Sequence, residues 1–230
     1  MSPAFRLELS PRLRIIADQV PPGARMADVG SDHGLLPLYL LSRDRIPSAI
    51  ATDIHAAPLE RGRQAAVEQG MEDRVSFRLC DGLAAVLPEE VDVIAIAGMG
   101  GETIAGILNA AAWSREKLLL LQPMSRSEVL RPWLAGHGCA IRQEVLVLDR
   151  GHVYPVLTVE GGTMPPLTAV QRYCGLSPRD GPLFLGYLRR WIERLERACA
   201  GLEQGGQNGE AAALRSELTE LREEEKLWSP

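Results

Sequence analysis

The stretch RMADVGSDHGLLPLYL, residues 25–40, decides the fold of this chain. Its apolar first residues predict a short buried strand, the segment from Gly30 to Gly34 predicts a tight turn, and the apolar run after it predicts a helix. Four more apolar runs of strand length lie between residues 48 and 122, separated by longer amphipathic segments. This alternation predicts an α/β fold whose mostly parallel sheet is covered by helices on both faces.

Two features flank the parallel strands. Ser10 followed by Pro11 is typical of a helix start and predicts a leading helix. The runs at residues 140–149 and 152–160 are separated by an Arg-Gly pair, and they predict an antiparallel hairpin at one edge of the sheet.

The C-terminal part has a different pattern. From Leu185, apolar residues recur at steps of three and four on both sides of the turn sequence QGGQNG, residues 204–209. This spacing predicts a coiled-coil-like, antiparallel helical hairpin. We therefore divide the chain into a sheet domain, residues 1–162, and a C-terminal helical hairpin domain, residues 163–230.

The composition excludes several classes of protein. With 230 residues and 46% hydrophobic residues the chain can build a core, so a disordered or fibrous protein is excluded. Its four cysteines contain no C-x-x-C pair and its four histidines are scattered, so we expect no disulfide framework and no metal. No run approaches the roughly 20 apolar residues of a membrane helix, and we expect a cytoplasmic protein. The net charge of −5 means that any nucleic-acid contact must be local.

The residues at the strand ends carry the functional signal, because open α/β sheets bind ligands at the carboxyl ends of their strands. The first turn contains Asp28 and Asp32 instead of the G-x-G-x-x-G loop that holds a pyrophosphate. Two carboxylates suit a cationic ligand such as S-adenosylmethionine, which has a sulfonium and an ammonium group and no phosphate. The turn resembles the first motif of class I methyltransferases, with Asp32 at the usual central glycine.

Further motifs make the resemblance more specific. The strings ADVGSDHGLLPLYL, ATDI, CDGL, AGMGG and LQPM occur in this order between residues 27 and 124. They are similar to the bacterial tRNA (adenine-22-N1)-methyltransferase family, and the similarity extends from Leu9 to about Glu160 and includes the helical hairpin. AGMGG stands where amino-directed adenine methyltransferases have an N/D-P-P-Y motif. This chain departs from the family at Leu35, where members usually have an aromatic residue.

The resemblance implies a Rossmann-like class I methyltransferase fold, S-adenosylmethionine as cofactor and tRNA as substrate. It assigns the cofactor-binding role to Asp28, Gly30, Ser31, Gly34, Asp53, Ile54, Asp81, Gly82, Ala97, Gly98, Met99 and Gly100. Within this set, Asp53 is expected to hold the ribose and Asp81 the adenine of the cofactor.

Methylation at adenine N1 leaves a positive charge on the base until a proton is lost. A carboxylate beside the pocket would stabilise that charge and could accept the proton. Asp32 is our candidate for this catalytic role, and His33 is the candidate orienting or relay group.

Three arginines on one face of the first hairpin helix, Arg190, Arg194 and Arg197, are candidate contacts for the tRNA backbone. Such a stripe is more often solvated, and glutamates of the second helix could neutralise it. Arg12, Arg14, Arg61 and Arg63 border the expected cofactor face and are alternative phosphate contacts.

Other functions stay open at this stage. A class I methyltransferase acting on a small molecule or protein would also fit the acidic charge, as would a non-catalytic RNA-binding protein with a degenerate cofactor fold. A nicotinamide oxidoreductase is the weakest alternative, because the phosphate-binding glycine pattern is missing. For the oligomeric state we expect a monomer or a weak dimer.

Overall fold

The computed structural model describes residues 7–177 and 181–228. The strands are β1 (Met26–Val29), β2 (Ala49–Asp53), β3 (Val75–Leu79), β4 (Val93–Gly100), β5 (Leu118–Ser125), β6 (Cys139–Asp149) and β7 (His152–Gly161). The helices are α1 (Pro11–Gln19), α2 (Leu35–Leu41), α3 (Ala56–Glu68), α4 (Gly101–Ala110), α5 (Ser127–Gly136), α6 (Ala169–Cys174), α7 (Phe184–Gln204) and α8 (Asn208–Trp228). The described strands form one sheet in the order β3-β2-β1-β4-β5-β7-β6.

The sheet confirms the predicted α/β fold with an antiparallel edge hairpin. Strands β1 to β5 are parallel, and β7 is antiparallel to both β5 and β6. At the hairpin turn Arg150 and Gly151 both have positive φ, 49° and 77°, which is the geometry of the hairpin turn that matches strand twist. The leading helix is also confirmed, because the Ser10 hydroxyl accepts a hydrogen bond from the backbone N–H of Leu13 at 3.5 Å.

Both faces of the central strands are buried. On one face Ala27 and Val29 pack with Ile104 of α4 and with residues of α5. On the other face Met26 packs with residues of α1, α2 and α3. Because neither face of these strands meets water, their sequences are nearly continuous in apolar residues instead of alternating with polar ones.

Strand β1 lies at the point where the strand order reverses. Asp28 of β1 is opposite Ala51 of β2 on one side and Ala95 of β4 on the other. Along the chain, β2 and β3 are therefore added to the sheet on one side of β1, and β4 and β5 on the other side. A crevice opens between the two halves at the carboxyl ends of β1, β2 and β4.

The C-terminal hairpin is present as predicted, with its turn at residues 205–207. Its buried face is broader than the predicted leucine seam and includes Phe184, Tyr187 and Trp191. These aromatic side chains are covered because α7 packs against α6 as well as α8, and the rings of Tyr173 and Trp191 are 5.1 Å apart. Among the described helices none has the length and hydropathy needed to cross a membrane.

Helix α6 lies between the sheet and the hairpin, in a segment for which the sequence predicts no particular element. Thr168 caps this short helix by accepting a hydrogen bond from the backbone N–H of Gln171, whose side chain in turn accepts from the backbone N–H of Thr168. Six residues carry too little periodicity to reveal a helix, and packing against α8 stabilises it. The domain boundary at residue 162 stays a prediction.

A buried ion pair between Arg131 and Glu144 fastens this C-terminal region to the sheet. Their side chains are fully buried and the Nη2–Oε1 distance is 2.6 Å. Arg131 also donates to the carbonyl oxygens of Arg172 and Tyr173, and Glu144 accepts from the backbone N–H of Leu176. Burial opposes the charge on Arg131, but its interactions with Glu144 and Tyr187 together outweigh the effect of burial and raise the pKa of the guanidinium.

We expect Arg131→Met to lower the free energy of unfolding by about 3–5 kcal/mol, because it leaves Glu144 as a buried, unpaired charge. Adding Glu144→Leu should recover part of that loss, and urea unfolding followed by circular dichroism measures both. The control Arg142→Met breaks an exposed pair with Glu160 and should cost less than about 1 kcal/mol. Equal losses from the two single variants would contradict the role of the buried pair.

Candidate active site

A cavity of about 300 Å³ opens in the crevice at the carboxyl ends of β1, β2 and β4. Eight of the twelve residues predicted to bind the cofactor line it: Gly30, Asp53, Ile54, Asp81, Gly82, Ala97, Gly98 and Met99. The four predicted residues outside the lining are Asp28, Ser31, Gly34 and Gly100. The structure thus brings together residues from four separate parts of the chain, which is how binding sites form at such a switch point.

Six residues that line the cavity are not among the predicted cofactor residues: Val29, Thr52, His55, Cys80, Thr103 and Ile107. The first four are adjacent in sequence to predicted site residues, so including one more residue on each side of the predicted ones would have found them. Thr103 and Ile107 belong to α4, and the sequence does not indicate which of its faces turns toward the crevice. A second cavity of about 560 Å³ shares these two residues and extends along α4 to Trp113.

Gly30 shapes the turn that follows β1. Its φ is 70°, and its backbone N–H donates to the carbonyl oxygen of Thr52 at 2.8 Å. A Cβ atom added at Gly30 would collide with Cε of Met99, which lies against the turn. Any other residue would therefore be strained and would fill space at the cavity wall.

Three carboxylates give the crevice an anionic character, because Asp53 and Asp81 line the cavity and Asp28 lies nearby. Asp28 is buried beneath the first turn, where burial raises its pKa to about 6 although a hydrogen bond from the Ser31 hydroxyl opposes the shift. The charge of Asp53 raises the pKa of Asp28 further, and one oxygen of Asp53 accepts from the backbone N–H of His55 at 2.8 Å. Within the described residues no cluster of three or more His, Cys, Asp or Glu side chains could hold a metal ion.

Asp32 and His33 form a pair at the rim of the first turn. The Nε2 atom of His33 is 2.9 Å from Oδ1 of Asp32, and the two side chains are 34% and 78% exposed. His33 has a φ of 60°, a left-handed conformation that strains a residue with a side chain. Its Nδ1 atom is buried and has no hydrogen-bond partner among the described residues. Neither side chain lines the cavity, and the exposed carboxylate of Asp32 is open to a ligand that approaches from solvent.

A cleft of about 360 Å³, which we call the arginine cleft, lies at the same edge of the sheet. Its walls are the end of β5 (123–125) with the following residues 126 and 127, the start of β7 (152–155) and one face of α7. The three predicted hairpin arginines, Arg190, Arg194 and Arg197, all line it, and Arg126 joins them. The predicted stripe therefore faces the site edge of the sheet.

Within the part of the chain that the structure describes, no ion pair joins a glutamate of α8 to Arg190, Arg194 or Arg197. Glu217 pairs with Arg172, and Glu225 pairs with Arg189. Among the described residues, Arg190 and Arg197 form no ion pair, while Arg194 approaches Glu128 of α5 at 4.0 Å. Glu193 also lines the cleft, and Arg126 pairs with Glu102. The positive charge of the arginine cleft therefore rests mainly on Arg190, Arg194 and Arg197.

The other four predicted arginines line neither the cavity nor the cleft. Arg12 pairs with Asp149, and Arg14 lies over the ring of Tyr39 at 4.6 Å. Arg63 donates to the carbonyl oxygen of Phe77 and pairs with Glu60, whereas Arg61 is exposed. Their predicted contact with RNA stays a prediction.

Known methyltransferases are similar to this chain in sequence and in fold. Residues 9–157 match a family described as methyltransferase domain. The Bacillus subtilis protein named tRNA (adenine(22)-N(1))-methyltransferase is 34% identical over 235 residues, covering 96% of this chain and 95% of the relative. The solved B. subtilis M1A22 tRNA methyltransferase TrmK has a TM-score of 0.86 at 30% identity, covering 96% of this chain and all of that chain. A Streptococcus pneumoniae protein solved in complex with S-adenosyl-L-methionine has a TM-score of 0.83 at 34% identity, with coverages of 95% and 100%.

We expect Asp28→Asn to stabilise the cofactor-free protein at pH 7.5 by about 1–3 kcal/mol. The substitution removes a carboxyl group that is buried and therefore costly to ionise. A raised carboxyl pKa contributes stability below the unfolded-state value, near 4, and this contribution is lost as the pH rises through about 6. The advantage of the variant should therefore shrink at pH 4.5.

Urea unfolding at the two pH values measures this difference, and calorimetry of the same samples should show weaker binding of S-adenosylmethionine to the variant. A stability difference of the same size at both pH values would contradict the assigned burial of the Asp28 charge.

Proposed function

The chain belongs to the tRNA (adenine(22)-N(1))-methyltransferase family of methyltransferase-domain proteins, and we propose that it transfers a methyl group from S-adenosylmethionine to N1 of adenine 22 in tRNA. One observation carries the proposal. The carboxylate-bearing cavity and the arginine cleft open at the same carboxyl edge of one sheet, so a single RNA can reach both.

The crevice fits the proposed cofactor. Its glycine turn lets the Met99 side chain lie close to the backbone, and its carboxylates suit a ligand that has a sulfonium and an ammonium group and no phosphate. It shares part of its lining with the larger cavity along α4. When bound, S-adenosylmethionine supplies an electrophilic methyl group on its sulfonium. Asp53 would hold the ribose hydroxyls, Asp81 the adenine of the cofactor, and Asp28 would contribute negative charge beneath the turn.

On the substrate side, the protein must present a base that is normally stacked. Adenine N1 lies on the Watson–Crick edge, so the target nucleotide has to leave its stack or pairing before it can enter the crevice. The guanidinium groups of the arginine cleft would hold the flanking phosphates while the base is turned out. This assigns the backbone contacts to Arg190, Arg194 and Arg197 and leaves base recognition to the crevice.

The exposed pair of Asp32 and His33 would act on the methylated base. Adenine N1 attacks through its neutral lone pair, and the product is cationic until a proton leaves. Asp32 can stabilise that charge and accept the proton, while the 2.9 Å contact with His33 orients its carboxylate. A cytoplasmic location and a monomer or weak dimer complete the proposal.

Incubation of the protein with isotope-labelled S-adenosylmethionine and unmodified total tRNA tests the function. We expect labelled 1-methyladenosine after nucleoside digestion and mass spectrometry, and a primer-extension stop that maps to position 22. Label in a different nucleoside, or no label in RNA despite calorimetric cofactor binding, would overturn the proposal.

Asp32→Asn should lower the turnover number at least about tenfold, since it removes a carboxylate that would accept a proton. The dissociation constant of S-adenosylmethionine should stay nearly unchanged, because Asp32 lies outside the cavity lining. The exposed Asp18→Asn is the matched control and should keep full turnover. If Asp32→Asn weakened cofactor binding as much as turnover, Asp32 would be a cofactor or folding residue.

The double variant Arg190→Gln/Arg197→Gln should raise the dissociation constant for tRNA about tenfold or more. It should also lower the slope of log Kd against the logarithm of the salt concentration by about 1–2, as expected when two phosphate contacts are lost. Arg215→Gln/Arg222→Gln removes the same charge from α8, where both arginines pair with glutamates of α7. Electrophoretic mobility shifts at several salt concentrations compare the two. Equal losses from both pairs would show a diffuse charge effect and no specific cleft.

A further inference from the structure

A chain of polar side chains connects the leading helix to the cofactor crevice. The Nε atom of Arg12 donates to Asp149 at 2.6 Å, and its Nη1 atom donates to Oε1 of Gln122 at 2.8 Å. The same Oε1 atom accepts from the backbone N–H of Gly98 at 3.2 Å. Gln122 is fully buried and Asp149 is 4% exposed, so water does not compete for these bonds.

Gly98 is the residue at which β4 departs from regular pairing. The register between β4 and β5 shifts between Ala97 and Met99, and Gly98 has a φ of 81°. These features define a bulge, in which one residue has no ladder partner. Its N–H is satisfied by the side chain of Gln122, and the three bulge residues line the cofactor cavity. Gln122 therefore fixes the wall of the crevice.

The orientation of Gln122 is itself fixed from both ends. Its Nε2 atom donates to the carbonyl oxygen of Pro123 at 2.9 Å, so the amide cannot turn over without losing three bonds. Arg12 holds the Oε1 side, and the buried carboxylate of Asp149 holds Arg12. A planar guanidinium suits this position, because it can donate in two directions at once.

From the sequence, Arg12 is one of four alternative contacts for a tRNA phosphate, and the geometry points to a different role. Its Nε and Nη1 atoms already bind protein acceptors, its guanidinium lies 5.1 Å from the centre of the Tyr154 ring, and its side chain is 20% exposed. We infer that Arg12, Asp149 and Gln122 are positioning residues that hold the Gly98 bulge at the methyl-transfer site. This inference rests on the proposed function for its effect on rate and on the hydrogen bonds alone for its effect on structure.

Two variants test the inference through the rate of a single methyl-transfer turnover at saturating cofactor and tRNA. Gln122→Met keeps the side-chain length and removes the acceptor, and Asp149→Asn removes the charge that holds Arg12. Each should lower the rate at least about tenfold, while the dissociation constants for cofactor and tRNA stay within about threefold. The exposed Arg43→Gln is the control and should keep the wild-type rate.

Asp149→Asn separates the two roles of Arg12. If Arg12 bound a phosphate, freeing it from a carboxylate would leave the rate unchanged and would keep or strengthen tRNA binding. If the three residues position the bulge, the double variant Arg12→Gln/Asp149→Asn should be no slower than the slower single variant, because both changes break one chain of bonds. An unchanged rate in Asp149→Asn overturns the inference.

Hydrogen exchange of the Gly98 amide, followed by NMR, tests the inference without any enzymatic activity. Exchange should become faster in Gln122→Met and stay slow in Gln122→Glu, which keeps the acceptor and also guards against misfolding of the first variant. The amide of Ala95 in the regular part of β4 is the internal control. Unchanged Gly98 exchange in Gln122→Met overturns the inference, whereas a wild-type protein that does not methylate tRNA would overturn the proposed function alone.

Discussion

Parallel hydrogen bonding of β1 to both β2 and β4 is the constraint on which the site depends. Because of this pairing, the later strands are added on both sides of β1, and a crevice opens above the buried Asp28. The same sheet continues to β5, whose antiparallel partner β7 begins at the carboxyl edge. The turn between β6 and β7 therefore lies at the edge where the crevice opens, and α7 packs beside it and forms one wall of the arginine cleft.

The sequence analysis predicted those parts that local chemistry determines. Continuous apolar runs indicated the buried strands, and the Arg150-Gly151 pair marked a turn whose two positive φ angles the structure confirms. Eight predicted cofactor residues meet in one cavity because strand ends of a parallel sheet share an edge. The short helix α6 and the α4 residues Thr103 and Ile107 were missed, because packing partners far along the chain determine where they lie.

The sequence alone also does not determine which charged side chains form ion pairs. A net charge of −5 and a glutamate-rich second hairpin helix made neutralisation of the arginine stripe a reasonable alternative. In the structure α8 pairs instead with Arg172 and Arg189, while Arg190 and Arg197 face the arginine cleft. An acidic protein can thus carry a local positive surface. The buried pair of Arg131 and Glu144 fastens α6 to the sheet, and α7, which carries that surface, packs against α6.

A structure of the protein bound to S-adenosylhomocysteine and unmodified tRNA would test the central claim most directly. The account predicts that one adenine lies outside its stack with N1 directed at the sulfur in the crevice, and that its flanking phosphates contact Arg190 and Arg197. An RNA bound at the opposite edge of the sheet, or held by the exposed face of α8 with an empty arginine cleft, would contradict the account.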